Sequence, residues 1–243
     1  VRKNKYLLIF FSSAIVYGLS NTVGTVGNLF AIYNLGGDSM ITPILLISFI
    51  PGLLSIFIVK GLLNRMDKMR ILVLSNLVTI VSSVLMYITG YENFLVFALL
   101  NAVRGFSSGA NTMMYFLFTP DFAEYGTYVT GLHAEGSAFA IQSFSSKVIG
   151  ALSSAITLLL MSLFGFISGS DTQTEVAKTG LWLLYSVIPI IGAIGQVVIL
   201  QLFYKLRDRD VLVMSQANHG EITLDESEQL LEGRYKAFRA QQE

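Results

Sequence analysis

One lysine in this sequence stands inside a long apolar segment. Lys147 is the only charged residue between Gly136 and Ser170. At about 1.5 Å per residue along a helix, it lies roughly 15 Å from Gly136, near the middle of a bilayer about 30 Å thick. An ammonium group at this depth is costly to keep, so such a residue is a functional-site hypothesis by default. Lys147 is therefore our first candidate for a substrate-binding or coupling residue.

Three polar residues precede Lys147 at helical spacing. Steps of three or four residues relate Gln142, Ser143, Ser146 and Lys147, and such steps place side chains on one helix face. An amide, hydroxyls and an ammonium group suit a ligand rich in hydroxyl groups. Ser146 also begins a row of small residues, with Gly150 four positions later, and such rows more often indicate close helix packing. Both roles stay open for Ser146.

A second charge, Arg104, lies inside another apolar segment. No aspartate or glutamate lies in the interior of any predicted span. Two buried cations without a buried anion need either a water-filled cavity or acidic partners from outside this chain, and we favour the second. The alternative for Lys147 is a lysine that only packs and snorkels. For Arg104, a purely structural role is equally compatible with the sequence.

The composition indicates a membrane protein. Of 243 residues, 53% are hydrophobic and 13% are charged, whereas soluble domains contain about 25% charged residues. The charges cluster in short connectors and in the tail. The sequence therefore predicts an all-α membrane protein. A net charge of zero without a basic run argues against nucleic acid as a partner. The absence of cysteine excludes disulfides and thiolate chemistry.

Six segments are long and apolar enough to cross a bilayer, which takes about 20 residues. The predicted spans are 6–33, 41–59, 71–89, 94–118, 136–167 and 179–204. Pro43 falls in the first turn of the second span, where a missing N–H costs nothing. Pro120 is expected to stop the fourth span, and Pro51 and Pro189 are expected to kink the spans that contain them.

The connectors predict the orientation. Basic residues flank the first, second and sixth spans on one side: Arg2, Lys3, Lys5, Lys60, Arg65, Lys68, Arg70, Lys205, Arg207 and Arg209. The positive-inside rule then places both termini in the cytoplasm of a cell whose membrane this chain crosses. Residues 205–243 are predicted to be a cytoplasmic tail with a short helix, because Thr223 and Glu226 match a capping box. A chain that begins at Val1 is expected to be cut from a longer protein.

Enzyme motifs do not fit this sequence. His133, Ala134 and Glu135 have the H-x-E form of a zinc deaminase, but the paired cysteines that such a site needs are absent. The sequence contains no G-x-S-x-G elbow, phosphate-binding loop or H-E-x-x-H helix. We therefore expect neither an enzyme nor a bound metal or cofactor.

The stretch PDFAEYGTYVTGLHAEG resembles the signature of the glycoside–pentoside–hexuronide:cation symporters, the family of melibiose permease. That signature is approximately D-x-x-[DE]-Y-G-x-x-x-T-G-x-R-x-E-[GS], between the tenth and eleventh helices, followed by a helix with a lysine. The matching positions are Asp121, Glu124, Tyr125, Gly126, Thr130, Gly131, Glu135, Gly136 and Lys147. The six spans resemble the carboxyl-terminal half of that family. His133 is a departure, because the pattern has arginine there.

The resemblance implies one half of a major-facilitator fold, with substrate held between two six-helix halves near the midplane. It implies that Lys147 lies near the sugar and cation sites, and that Gln142 and Ser143 face the sugar. It also implies a cytoplasmic gate formed by Asp121, Glu124, Tyr125, His133 and Glu135. A histidine is only partly charged near neutral pH, so the gate would be weaker or pH-tuned. The coupling cation, Na⁺ or H⁺, would be bound by the missing amino-terminal half.

The resulting hypothesis is cation-coupled symport of a glycoside, pentoside or hexuronide across the cytoplasmic membrane. In this hypothesis the chain is the carboxyl-terminal half, and its partners are the sugar, the cation, the bilayer and the amino-terminal half. One alternative is a membrane receptor or scaffold that does not transport, and another is an inactive fragment. A six-span protein that works as a homodimer is less favoured, since it would bring four cations together.

Overall fold

The computed structural model describes residues 4–133 and 135–239, and this part of the chain forms ten α-helices without strands. Arg2, Lys3 and Ala134 lie outside the described residues, as do residues 240–243. The helices are α1 (Lys5–Tyr17), α2 (Thr22–Asn34), α3 (Ile41–Leu63), α4 (Lys68–Thr89), α5 (Phe94–Thr130), α6 (Glu135–Leu163), α7 (Glu175–Ser186), α8 (Ile188–Phe203), α9 (Asp208–Asn218) and α10 (Leu224–Leu230).

Five helical stretches are long and apolar enough to cross a membrane: Lys5–Asn34, Asp38–Leu63, Lys68–Thr89, Glu135–Leu163 and Glu175–Phe203. The remaining long helix, α5, has 37 residues but is more polar, because Asn101, Arg104 and Asn111 are buried within it. The start of α1 and the tail meet, since the rings of Tyr6 and Tyr235 lie 6.2 Å apart. Both ends on one side require an even number of crossings. The protein is therefore an all-α membrane protein with six crossings, in which α5 is added to the five apolar stretches.

The four prolines behave differently from one another. Pro43 lies in the first turn of α3, as predicted, and α7 and α8 meet just before Pro189. In contrast, α3 runs without interruption past Pro51. The prediction for Pro120 is wrong, because α5 continues past it to Thr130. The turns beyond Pro120 bury several aromatic side chains, and this burial outweighs the one helical hydrogen bond that proline removes.

The tail contains two helices rather than one. Thr223 caps α10 as predicted, since its side chain accepts a hydrogen bond from the Glu226 N–H at 3.2 Å. The additional helix, α9, has no clear apolar period in its sequence and is held by packing against α5. Beyond α10, the N–H of Phe238 donates to the Tyr128 carbonyl at 2.9 Å. The ring of Phe238 fills the space where a Cβ on Gly131 would lie, and Gly131 ends α5 with φ +69°.

Glycines allow α3 to lie directly on α5. A Cβ on Gly105 would collide with the backbone of Ser48, and one on Gly109 would collide with the carbonyl of Gly52. The backbones thus approach without intervening side chains, which is common where membrane helices pack through small residues. The row of small residues on α6 was predicted to pack closely against another helix. Within the described chain Gly150 has no such contact, because nothing lies within 4 Å of a Cβ placed on it.

Substitution of Gly105 by alanine tests this packing. We expect Gly105→Ala to lower the free energy of unfolding by about 1–3 kcal/mol, because the backbone of Ser48 must shift to admit the methyl group. Gly150→Ala is the matched control, since its methyl group meets open space and alanine is the better helix former. The measurement is thermal denaturation of both purified variants in detergent. Equal melting temperatures would contradict the packing described here.

Candidate functional site

Two membrane helices are broken near their middles, and the breaks lie against each other. A short 3₁₀ turn, Gly18–Asn21, separates α1 from α2, while Val187 separates α7 from α8. The hydroxyl of Ser20 donates to the Pro189 carbonyl at 3.2 Å, and the hydroxyl of Thr22 donates to the Leu184 carbonyl at 3.3 Å. Broken helices at membrane depth are tolerated where protein surrounds them or where they line a cavity.

Arg104 supplies a hydrogen-bond donor at the second break, between α7 and α8. Pro189 has no N–H, so the carbonyl of Tyr185, four residues earlier, loses its helical partner. The Nη1 atom of Arg104 donates to that carbonyl at 2.6 Å, and Nη2 donates to Asn101 Oδ1 at 2.9 Å. The guanidinium carbon also lies 4.3 Å from the centroid of the Tyr185 ring. The carboxyl end of a helix carries partial negative charge, so the end of α7 partly compensates this buried cation.

A cavity of about 1020 Å³, here called the main cavity, lies between α3, α5 and the break between α1 and α2. Its walls are mainly apolar, and its polar lining includes Tyr17, Asn21, Ser48, Asn101, Arg104 and Ser108. Ligand sites usually have this character, with a few polar groups on an apolar wall and volumes of about 300–1,000 Å³. The main cavity is thus large enough for a small organic molecule.

A second cavity of about 190 Å³, here called the side pocket, adjoins the main cavity. The two share Tyr17, Asn21, Thr112 and Phe116 as lining residues. The side pocket reaches between α5, α6 and α8. Its further polar lining residues are Asn111, Tyr115, Ser146 and Gln196.

The predicted residues on α6 divide between two faces of the helix. Ser146 lines the side pocket, and its hydroxyl lies 3.3 Å from the Tyr115 hydroxyl. Gln142 is buried, and its Nε2 donates to the Tyr115 carbonyl at 3.4 Å. Ser143 and Lys147 are exposed and line neither cavity. Within the described residues, Lys147 forms no ion pair.

Three of the predicted gate residues, Asp121, Glu124 and Tyr125, lie on α5 and have different contact partners. Asp121 pairs with Lys68 at 2.6 Å, and a side-chain oxygen of Glu124 accepts a hydrogen bond from Asn218 of α9 at 2.8 Å. The ring of Tyr125 is buried between Tyr6, at 5.0 Å, and Tyr235, at 6.0 Å. Both carboxylates therefore contact partners other than the predicted histidine.

The remaining two gate residues, His133 and Glu135, are exposed. They flank the turn between α5 and α6. Their participation in a gate stays a prediction.

Burial controls the titration of Asp121, which lies in the part of α5 beyond the predicted span. Burial raises the pKa of Asp121 from 3.8 to about 6, while the ammonium of Lys68 opposes that rise. The backbone N–H of Lys68 also donates to a carboxylate oxygen of Asp208 at 2.9 Å. One residue at the start of α4 thus connects α5 with α9.

Six crossings, two broken helices and a mainly apolar cavity with a few polar groups beside one break define a multi-pass membrane protein built like a secondary transporter. Residues 1–208 match the family model described as MFS/sugar transport protein. The chain belongs to this family of transporters, which confirms the resemblance noted in the sequence.

Individual relatives are similar to much of the chain. An uncharacterized symporter of Bacillus subtilis, YnaJ, is 26% identical over 224 residues, or 90% of this chain and 47% of the relative. A putative sulfoquinovose importer of Salmonella typhimurium is 26% identical over 65% of this chain and 33% of its own length. A putative glycoside/cation symporter of Escherichia coli, YagG, is 26% identical over 68% and 37%, respectively. The chain spans between a third and about half of these relatives.

Three uncharged amide residues of the site were not among the predicted site residues. Asn21, Asn111 and Gln196 all lie within predicted spans and all line the side pocket. Amides inside an apolar segment are a signal, because each must find hydrogen-bond partners away from water.

A double-mutant cycle tests the bond between Arg104 and the broken helix. Arg104→Leu should destabilise the protein by about 1–3 kcal/mol, because the Tyr185 carbonyl loses its donor. Pro189→Ala supplies an N–H to the same carbonyl, so the loss from Arg104→Leu should be smaller in that background, with a coupling of about 1 kcal/mol. Denaturation of the four proteins measures this coupling. A second cycle with Pro51→Ala is the control, and equal coupling in both cycles would refute the interpretation.

The pair of Lys68 and Asp121 predicts a pH-dependent effect. The pKa of Asp121 is higher in the folded protein than in the unfolded chain. Ionisation of Asp121 therefore lowers the free energy of unfolding as pH rises from 3.8 to about 6. Lys68 offsets this cost only where Asp121 is ionised, above about pH 6. Lys68→Met should therefore destabilise by about 1.5–3 kcal/mol at pH 7.5, and much less at pH 5. Melting temperatures across this range measure the effect, with exposed Lys60→Met as the control. A loss that does not change with pH would contradict it.

Proposed function

We propose that this chain takes part in cation-coupled sugar symport across the cytoplasmic membrane, as the carboxyl-terminal six-helix half of the transporter. The observation behind the proposal is the main cavity, which lies between broken helices and has polar groups on apolar walls. Membership of a sugar transport family supports the substrate class, and the names of the symporter relatives support coupling to a cation.

Two helices expose the surface on which a second half would pack. In the most apolar part of α3, only 11% of the residues are buried, and in that part of α6 only 17% are. The corresponding share is 44% in each of the other three apolar stretches. Lys147 lies on this exposed part of α6. In the proposal, an amino-terminal half covers α3 and α6 and brings acidic residues to Lys147, because a cation at this depth needs a partner.

The proposed cycle couples the two ligands through these charges. Carboxylates of the amino-terminal half would bind Na⁺ or H⁺ and would also contact Lys147, so that cation binding changes the affinity for sugar by about 1–3 kcal/mol. Gln142 and Ser143 would contribute polar groups on the same helix. Both ends of this chain would lie in the cytoplasm, where Asp121 and Glu124 would belong to the gate.

Uptake of sugar by vesicles that contain the full-length protein tests this function. A sodium or proton gradient should drive accumulation of a sugar, and Lys147→Ala should abolish the dependence on the gradient. Lys236→Ala is a control, because that lysine is exposed in the tail. Sugar binding without uptake or counterflow would instead favour a receptor, and unchanged coupling in Lys147→Ala would refute the role of the lysine.

A further inference from the structure

The side-chain oxygen of Gln196 accepts two hydrogen bonds. This residue of α8 is 2% exposed, and its Oε1 accepts hydrogen bonds from Asn76 of α4 and Asn111 of α5, each at 2.9 Å. Two donors on one oxygen fix the orientation of the amide plane. The Nε2 atom, at the other end of the amide, is therefore directed away from both asparagines.

The Nε2 atom of Gln196 is available to a ligand. Within the described residues it donates no hydrogen bond, and Gln196 lines the side pocket. Buried side-chain nitrogens and oxygens that are sealed without a partner occur, in the described ranges, only in Asn34, Asn76, Ser83 and Thr119. Nε2 is thus an unused donor that opens into the pocket rather than one closed off in the core.

The walls of the side pocket match one sugar ring. All its lining residues are uncharged, so neither a cation nor an anion finds compensation there. Tyr17, Tyr115 and Phe116 supply aromatic surface, and Thr112 and Ser146 supply hydroxyls. Its volume of about 190 Å³ is smaller than the roughly 300 Å³ at which drug-sized sites begin. This combination suits a small, neutral ring with hydroxyl groups at its edge.

We propose that the side pocket is a specificity subsite of the transporter, in which Gln196 Nε2 donates a hydrogen bond to one hydroxyl of the sugar. The inference rests on the proposed sugar transport. A buried donor left unpaired is costly, so a site of this kind discriminates strongly against an analogue that lacks the hydroxyl. Asn76 is a positioning residue, because it does not line the side pocket and acts on the sugar only through the orientation of Gln196. Asn111 holds the same oxygen but also lines the pocket itself.

Uptake of monodeoxy analogues by the full-length protein tests the subsite. For one ring position, the deoxy analogue should show a KM about 10- to 100-fold higher than the sugar itself. In Gln196→Leu this ratio should fall to about 1, because neither ligand then finds the donor. Gln173→Leu is the matched control, since that glutamine is also buried but bonds the backbone of Ile167 and lines neither cavity. Its discrimination should equal that of the native protein.

A second variant covers the case in which Gln196→Leu does not fold. Ser146→Leu fills the side pocket from its exposed wall, and we expect it to raise the KM of the sugar at least tenfold while the melting temperature stays unchanged. Undiminished discrimination in Gln196→Leu, or an unchanged KM in a folded Ser146→Leu, would show that the pocket holds only water. A native protein that takes up no sugar would refute the proposed function itself, whereas uptake without these effects would refute only the subsite.

Discussion

The bond between Arg104 and the Tyr185 carbonyl is the interaction on which the centre of this protein depends. Pro189 removes one N–H from the last crossing, and Arg104 donates to the carbonyl that this N–H would have bonded. The guanidinium that replaces it belongs to α5, which makes α5 too polar to appear as an apolar span. The same guanidinium lines the main cavity. The broken helix, the polarity of α5 and one polar group of the main cavity are thus connected through one missing donor.

The outer helices, α3 and α6, differ from this centre because few of their residues are buried. Helix α3 rests on α5 through glycines and otherwise exposes apolar side chains, and α6 exposes a face with small residues and Lys147. Only the inner side of α6, with Gln142 and Ser146, reaches the polar interior. The protein therefore has a finished polar centre and two helices whose outer faces find no partner within the described chain. That asymmetry fits a chain that spans between a third and about half of its relatives.

Hydropathy and turn chemistry predicted the crossings and the cap at Thr223, because both depend on residues close in sequence. The continuation of α5 past Pro120 was not predictable in this way, since it depends on aromatic contacts with the tail. The partner of Arg104 was equally hidden, because that partner is a backbone carbonyl and every residue has one. Lys147 and Gln142 are five residues apart, which places them about 140° apart around a helix, and the packing of α6 decided which of the two faces inward. Long-range packing decided each of these cases.

The contact between Phe238 and Gly131 has a consequence for motion. The N–H of Phe238 also donates to the Tyr128 carbonyl, so this part of the tail is attached to the last turn of α5. Helix α5 is the same helix that lines the main cavity. In the proposed transport cycle, any movement of α5 would carry the tail with it. A spectroscopic label on the tail, outside the hydrophobic layer, would therefore report movements of α5 around the cavity.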